Sequence, residues 1–488
     1  MHRLKVAGRV AVLAATLPLS GCAAAFGGYD LAPNGLPRDE EALRHSLAVQ
    51  ADELYGEITG GERPLPDDDL LRLLYAGTAG YYSGNLRESS RLLDLAMYLA
   101  EDRVTFSVSR QTLSMVTSDR TLAYTPGRTE RLMIPYMAAL TYLEAGDFDG
   151  AAVEARRIEA LLDRLDEGVP PDETPPDSRF LHYFAGTVFE AAREWNGADV
   201  AYRRSGPLGE LLGHGLERDG GAPADSLGDV VVLVEHGFVP HPVEQSVVVV
   251  LPPSQVAMLT EGSAGEKAAA AAEAAARILV AASRAYGDRS GYYHDRGYRS
   301  DIRLEPWGDD PCDSGRRRSC EDEDGTPYLL RISWPVLYQE PSPSTPLRVR
   351  VGDLGVDAAA RLDLAACTRR DFEAARPEVL ARTVLRAATK MGLTASVEAA
   401  VEKKDQAAGQ LLGILTNLGT LLTERADTRA WHLLPGSVSL VRLRLPAGSH
   451  ELTVEADPAR GGRGGGEALG SVRVRPGTTT FVSTRLWR

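Results

Sequence analysis

The sequence predicts an α+β multidomain protein: an N-terminal layer of α-helical hairpins, an α/β middle region and a small C-terminal β-sandwich. Three observations carry this. Residues 41–215 repeat apolar positions at helical spacing and show little β signal. From about residue 227 the period changes to Val-rich runs bounded by Gly and Pro, GDVVVLVEHGFVP and QSVVVVLPP, which read as strands. From 429 onward, apolar and polar residues alternate again in SVSLVRLRLPAGSHELTVEAD and GSVRVRPGTTTFVSTRL.

In order, the chain divides into an export signal (1–21), a tether (22–40), a helical repeat region (41–215), a mixed α/β region (225–350), a helical region (351–428) and a β-sandwich-like tail (429–488). His2, Arg3, Lys5 and Arg9 make a basic start. The apolar run from Val10 to Leu19 is too short for a permanent span and suits the core of a secretory signal. It ends at Leu19-Ser20-Gly21-Cys22, which resembles the lipobox of bacterial lipoproteins. The resemblance implies cleavage before Cys22 and a lipid on its thiol; the alternative is an ordinary secretory signal. Ala23, where an Asp would retain a lipoprotein at the inner membrane, is similar to proteins passed on to the outer membrane. Residues 23–40 are rich in Gly, Ala and Pro, as a flexible tether is. No later segment approaches the roughly 20 apolar residues of a membrane helix. The expected location is therefore the cell envelope, held by the N-terminal lipid alone and facing the periplasm.

Three stretches within 41–215 have the form helix, tight turn, helix. The turns are Ser83-Gly84-Asn85, Ala145-Gly146-Asp147 and Arg193-Glu194. Small and large residues fall at matching places around them: Gly77, Leu86, Ser89, Leu93 and Ala96; then Phe148, Ala151, Ala155 and Ile158; then Gly186, Trp195, Ala198, Tyr202 and Ser205. The pattern resembles tetratricopeptide (TPR) repeats. The residues after the turns are 62 and 47 positions apart rather than about 34, so the units are divergent and separated by insertions. The resemblance implies a concave groove for a protein partner. Tyr81, Tyr82, Tyr136, Tyr142 and Phe189 either line that groove or pack as core between hairpins.

Further along, an Ala-rich helix over 264–286, strands in DIRLEPW, YLLRISWPVLYQ and LRVRVGDLG, and a long helical stretch over about 356–425 broken at Pro377 are expected. The tail, in which Leu445-Pro446-Ala447-Gly448-Ser449-His450 leads into an alternating strand, resembles a PEGA-type β-sandwich. Taken in order, ERLMIPYMAALTYLEAGDFDGAAVEARR, RPEVLARTVLRAATK and ERADTRAWHLLPGSVSLVRLRLPAGSHEL resemble an uncharacterised family of bacterial TPR-like repeat lipoproteins. That resemblance implies an architecture and brings no reaction and no catalytic residues.

Composition narrows the chemistry. The net charge of −14 argues against a nucleic-acid partner. Cys312 and Cys320 flank a polar loop, and an oxidising envelope would let them pair; Cys367 reads as a small buried helical residue. His236 and His241 straddle a Gly-Phe-Val-Pro turn, which suits a loop between strands better than a metal site. No cofactor is expected. The sequence has no nucleophile elbow, phosphate loop or zinc-protease helix. Tyr292, Tyr293 and Tyr298 crowd GYYHDRGYRS, a mixture suited to a binding surface or to an ordinary loop. Glu424, Asp427, Arg429 and Trp431 read as a domain junction, with ion pairs around a Trp that plugs the seam. Gly409 and Gly413 suit close packing. The expected function is a non-catalytic scaffold or adaptor holding a protein partner in envelope biogenesis. The alternatives are an envelope enzyme acting on peptidoglycan or polysaccharide, and a structural subunit of a secretion or export complex.

Overall fold

A computed structural model describes residues 69–110, 123–212, 226–251, 303–305, 328–339, 347–358, 360–402, 425–456 and 467–487, with isolated positions at 49, 258, 263, 265 and 266. All of these belong to one unit, Pro37–Arg488. Cys22, Cys312, Cys320, Tyr292, Tyr293, Tyr298, Gly409, Gly413 and Glu424, with the signal and tether, lie outside the described residues.

Helices α1 (Asp69–Ser83) and α2 (Leu86–Arg110), α3 (Arg128–Glu144) and α4 (Phe148–Leu165), and α5 (Pro176–Ala191) and α6 (Trp195–Arg204) form three hairpins stacked side by side, followed by the short α7 (Pro207–Leu212). Each turn is built the same way. The residues after it, Asn85, Asp147 and Glu194, donate their amides back to the carbonyls of Gly80, Tyr142 and Phe189 at 2.8, 2.9 and 2.7 Å. This closure needs a left-handed residue one position earlier. Gly84 and Gly146 supply it in the first two hairpins, and Arg193 adopts it in the third at φ 61°. Seven residues before that position the first helix carries Gly77, Ala139 and Gly186. Nine after it the second helix carries Leu93, Ala155 and Tyr202. A methyl on Gly77 would lie 2.8 Å from Leu93, and one on Gly186 would lie 2.6 Å from the Tyr202 ring. In the first and third hairpins small faces large at this height, while the second carries alanine on both helices, so the helices of each pair can approach closely there.

The strands β1 (Leu227–His236), β2 (His241–Leu251), β3 (Arg303–Glu305), β4 (Tyr328–Tyr338), β5 (Leu347–Val351), β6 (Leu354–Asp357), β7 (Ala360–Leu362), β8 (Ser437–Pro446), β9 (Gly448–Ala456), β10 (Glu467–Val474) and β11 (Thr479–Leu486) form three sheets. Two of them, in order β11-β1-β8-β7 and β10-β9-β5-β6, pack as a sandwich. Between them lie Val230, Val232, Val234, Val349, Val441, Leu443, Leu452, Val454 and Val474. The third sheet runs β3-β2-β4. The sandwich is not made by the tail alone. β1 sits between β8, antiparallel, and β11, parallel, while β5 pairs with β9. Strands from the expected middle region thus complete both sheets.

The helices form a third layer. α3 and α5 pack on β11, α5 also on β7, and α1 reaches the same sheet through its tyrosines. This explains the unbroken apolar run of β1. Val230, Val231, Val232, Leu233 and Val234 are all fully buried, because helices cover one face and the second sheet covers the other.

Two expectations are corrected. Residues 354–357 and 360–362 are strands, and the long helix begins only at Leu364. This helix, α8 (Leu364–Glu402), runs through Pro377 without a break. A prolyl ring needs only a missing amide bond and room beside the preceding turn, and α3 likewise carries Pro135 inside it.

Candidate functional site

Among the described residues, a dense set of polar contacts lies in the seam between the first helices of the hairpins and the sheet β11-β1-β8-β7. Alternation along β1 and β11 sends one set of side chains into the sandwich and the other toward the helices. The helix-facing set includes Glu235, Ser483 and Arg485. Tyr81 on α1 shares a 2.8 Å hydrogen bond with Ser483. Tyr82 donates to Glu235 Oε2 at 2.9 Å and accepts from Arg485 Nη1. The phenol thus relays between a carboxylate and a guanidinium. Arg485 also donates to the Leu433 and Gly237 carbonyls at 3.0 and 2.7 Å. Its guanidinium is boxed by three rings, with Trp487, Tyr82 and Phe238 at 4.5, 4.9 and 5.1 Å from their centroids. Burial raises the Glu235 carboxyl, and Arg485 and the Tyr82 hydrogen bond oppose that rise. Burial likewise pushes the Tyr81, Tyr82 and Tyr136 phenols far above their ordinary value, so all three stay neutral, and Tyr81 and Tyr82 act as neutral hydrogen-bonding groups.

A second charged lock lies at the third hairpin. Arg442 of β8 makes a fork on Glu190 of α5 at 2.6 and 3.1 Å, while Tyr202 donates to the same carboxylate at 2.6 Å. Asp229 adds a contact to Arg442 at 3.3 Å. A third joins the helices to α8. Arg370 donates to both oxygens of Asp177 at 3.1 Å. Asp371 accepts from the Thr129 amide and hydroxyl, each at 2.6 Å, so α8 caps the start of α3. Although burial raises Asp177, the Arg370 and Arg128 guanidiniums bring it below the usual carboxylate range.

Residues 425–436 run between these layers as a strap. Trp431 is fully buried, its indole donating to Thr78 at 3.0 Å and its amide to Glu130 at 2.8 Å. His432 donates its amide to Tyr75, whose hydroxyl donates on to the Ala430 carbonyl. Asp427 pairs with Arg429 at 2.8 Å. The ring of His432 meets His241 edge-on at 4.7 Å. Burial pulls His241 down to about 4 and, with His241 beside it, His432 down to about 3.

The aromatic residues expected to hold a partner are accounted for differently. Tyr81, Tyr136 and Phe189 are buried. Tyr81 and Tyr82 engage the protein's own Ser483, Glu235 and Arg485, while Tyr136 packs on Phe184 at 4.9 Å. Phe189 meets Gly197 within its own hairpin. Tyr142 is half-buried and points to Asp94. Of the two readings open for these aromatics, Tyr81, Tyr136 and Phe189 take the core one, and the side of α1 that carries Tyr81 and Tyr82 is covered by β1 and β11. His236 ends β1 and His241 begins β2, both buried. Cys367 is buried in α8, its thiol pushed up to about 12 chiefly by burial.

Sequence reasoning overlooked Glu235, Arg442 and Arg485 as structural partners. For Glu235 the signal was present, because a charge interrupting a strand buried along both faces demands a counter-group; β8 and β11 are less uniformly buried, so Arg442 and Arg485 stood out less. What the sequence does not carry is which helix supplies it. Chemically, these groups clamp the layers together: Arg442 is ion-paired with Glu190 and Asp229, while Glu235 and Arg485 are joined through the Tyr82 hydroxyl. No protein-family model, no curated protein and no solved structure matches the chain.

Proposed function

We propose that the protein is a lipid-anchored envelope scaffold, with TPR-like hairpins and a PEGA-like sandwich, that engages a protein partner without catalysing a reaction. The observation that carries this reading is the outer surface of the hairpins. The second helices stand side by side, cross-linked by Asp94–Arg157, Glu101–Arg164, Arg156–Glu194 and Asp163–Arg204. Among these ion pairs they expose Tyr98 at 72%, Trp195 at 50%, Leu95 at 45%, Val200 at 43% and Val153 at 41%. Large aromatics offered to solvent on a rigid helical face, within reach of charged groups, are the composition of interface hot spots. With the first helices covered by β7, β11 and the strap, this face is where a partner docks. No described helix is long and apolar enough to cross a membrane, consistent with attachment through Cys22.

The test places photoreactive side chains at the neighbouring exposed positions 153 and 200 in cells and isolates cross-linked products from envelope fractions. A reproducible partner is expected. Tyr98→Ala with Trp195→Ala should reduce its recovery about tenfold while leaving the melting temperature within a degree or two. Repeated failure to recover any partner from either position sinks the reading. Cys22→Ser should separately release the chain from membrane fractions.

A further inference from the structure

Outside the seam, one cluster joins the first and second hairpins. It consists of Asp94 on α2, Tyr142 on α3, and Glu154 and Arg157 on α4. A single nitrogen, Arg157 Nη1, lies 2.7 Å from Asp94 Oδ1 and 2.7 Å from Glu154 Oε1. The two carboxylates are therefore no more than twice that distance apart. Their surroundings differ. Asp94 is 41% exposed and has a second donor in the Tyr142 hydroxyl at 3.4 Å. Glu154 is 2% exposed, and its Oε2 has no hydrogen-bond partner. One guanidinium thus serves two carboxylates, and the less solvated of the pair is the one that gains by becoming neutral.

We propose that Asp94, Glu154 and Arg157 form a proton-operated joint between α2 and α4. With a proton on Glu154, Arg157 is committed to Asp94 and the helices are held together. When that proton leaves, two like charges face each other across one guanidinium and the contact loosens. Burial lifts the Glu154 carboxyl to about 7, with Asp94 adding to the rise and Arg157 opposing it. The proton therefore exchanges in the neutral range. Tyr142, raised by burial and then by Asp94 and Glu154, stays neutral throughout. On the other flank of α4 the charged groups are already matched: Glu159 faces His182 and Arg204, and Arg156 faces Glu194. The joint needs neither the lipid anchor nor a bound partner to operate.

The sign follows from linkage. Folding raises the Glu154 carboxyl above its ordinary 4.5, so the folded state keeps a proton that the unfolded chain releases. The associated stability is fully present below that value and is lost as pH climbs toward 7. In the full-length protein, hydrogen exchange of α2 and α4, corrected for the intrinsic rate, should show protection falling at least tenfold between pH 5.5 and 8. Glu154→Gln should abolish that dependence. Asp94→Asn, which removes the opposing charge and frees Arg157, should move its midpoint to lower pH. A Glu154→Gln protein with the wild-type pH dependence overturns the proposal, as does a Glu154 carboxyl carbon that titrates near 4.5 by NMR. Should Glu154→Gln fail to fold, an unchanged midpoint in Asp94→Asn overturns it equally.

Discussion

Arg193 holds the left-handed position that glycine holds in the other two hairpins. A side chain there costs about 1 kcal/mol relative to glycine, and the Arg193 side chain is exposed. Arg193→Gly should therefore raise the unfolding free energy by about 1 kcal/mol in urea titrations. Tyr82→Phe should do the reverse. It removes the hydroxyl that links Glu235 to Arg485 and leaves a buried carboxylate oxygen without its donor. A loss of about 1–3 kcal/mol is expected, and a loss under 0.5 kcal/mol would show that the relay contributes little. At this scale the sequence was partly legible. The turn residues and the facing pairs Gly77–Leu93 and Gly186–Tyr202 follow from local pattern. The partners of Glu235 and Arg485 do not, because they lie about 150 and 400 residues away along the chain and pattern encodes only neighbours.

Between elements, the spacing of a hairpin is set by its smallest residue. Gly186→Ala would improve intrinsic helix propensity by up to about 1 kcal/mol. It also drives a methyl to 2.6 Å from the Tyr202 ring, which Glu190 and Arg442 hold in place. Overpacking of this kind costs about 1–3 kcal/mol, so the net effect should be destabilising. Arg442 shifts should report it as well, since the ring cannot move without disturbing that network. At the level of elements, strand and helix existence was well signalled among the described residues, outside which the helix expected over 264–286 almost wholly lies, and the boundaries failed where two short strands precede α8. β6 and β7 are four and three residues long, too short for a period to register against the helical run that follows them. The assignment of strands to sheets was illegible for another reason. β1 pairs with β8 and β11, so that one sheet draws on both the 225–350 and the 429–488 regions.

For the whole molecule, acid sensitivity follows from the strap. His241 and His432 are buried against each other and held down to about 4 and about 3, from an ordinary 6.5. The unfolded chain takes up protons that the folded state refuses. Their contribution is complete above pH 6.5 and is lost as pH falls toward 4. Thermal melts of the wild type should therefore decline over that window, and His432→Leu should decline less steeply. An identical acid limb in the variant would remove His432 from the explanation. The same strap, with β11, occupies the aromatic side of the hairpins. For this reason Tyr81 and Tyr82, which could line a groove in sequence, are engaged by the protein's own strands in three dimensions.

The position of β1 also sets an order of events. Both of its edges are closed by residues 437–446 and 479–486, so a chain emerging from its N-terminus must hold an almost wholly apolar strand unpaired for roughly 200 residues of further synthesis or export. During that interval the hairpins have no sheet to rest on, and the strand is an open template for any neighbouring chain. The protein is thus most vulnerable to aggregation and proteolysis before it is complete, and its demand for chaperoning should rise with expression rate.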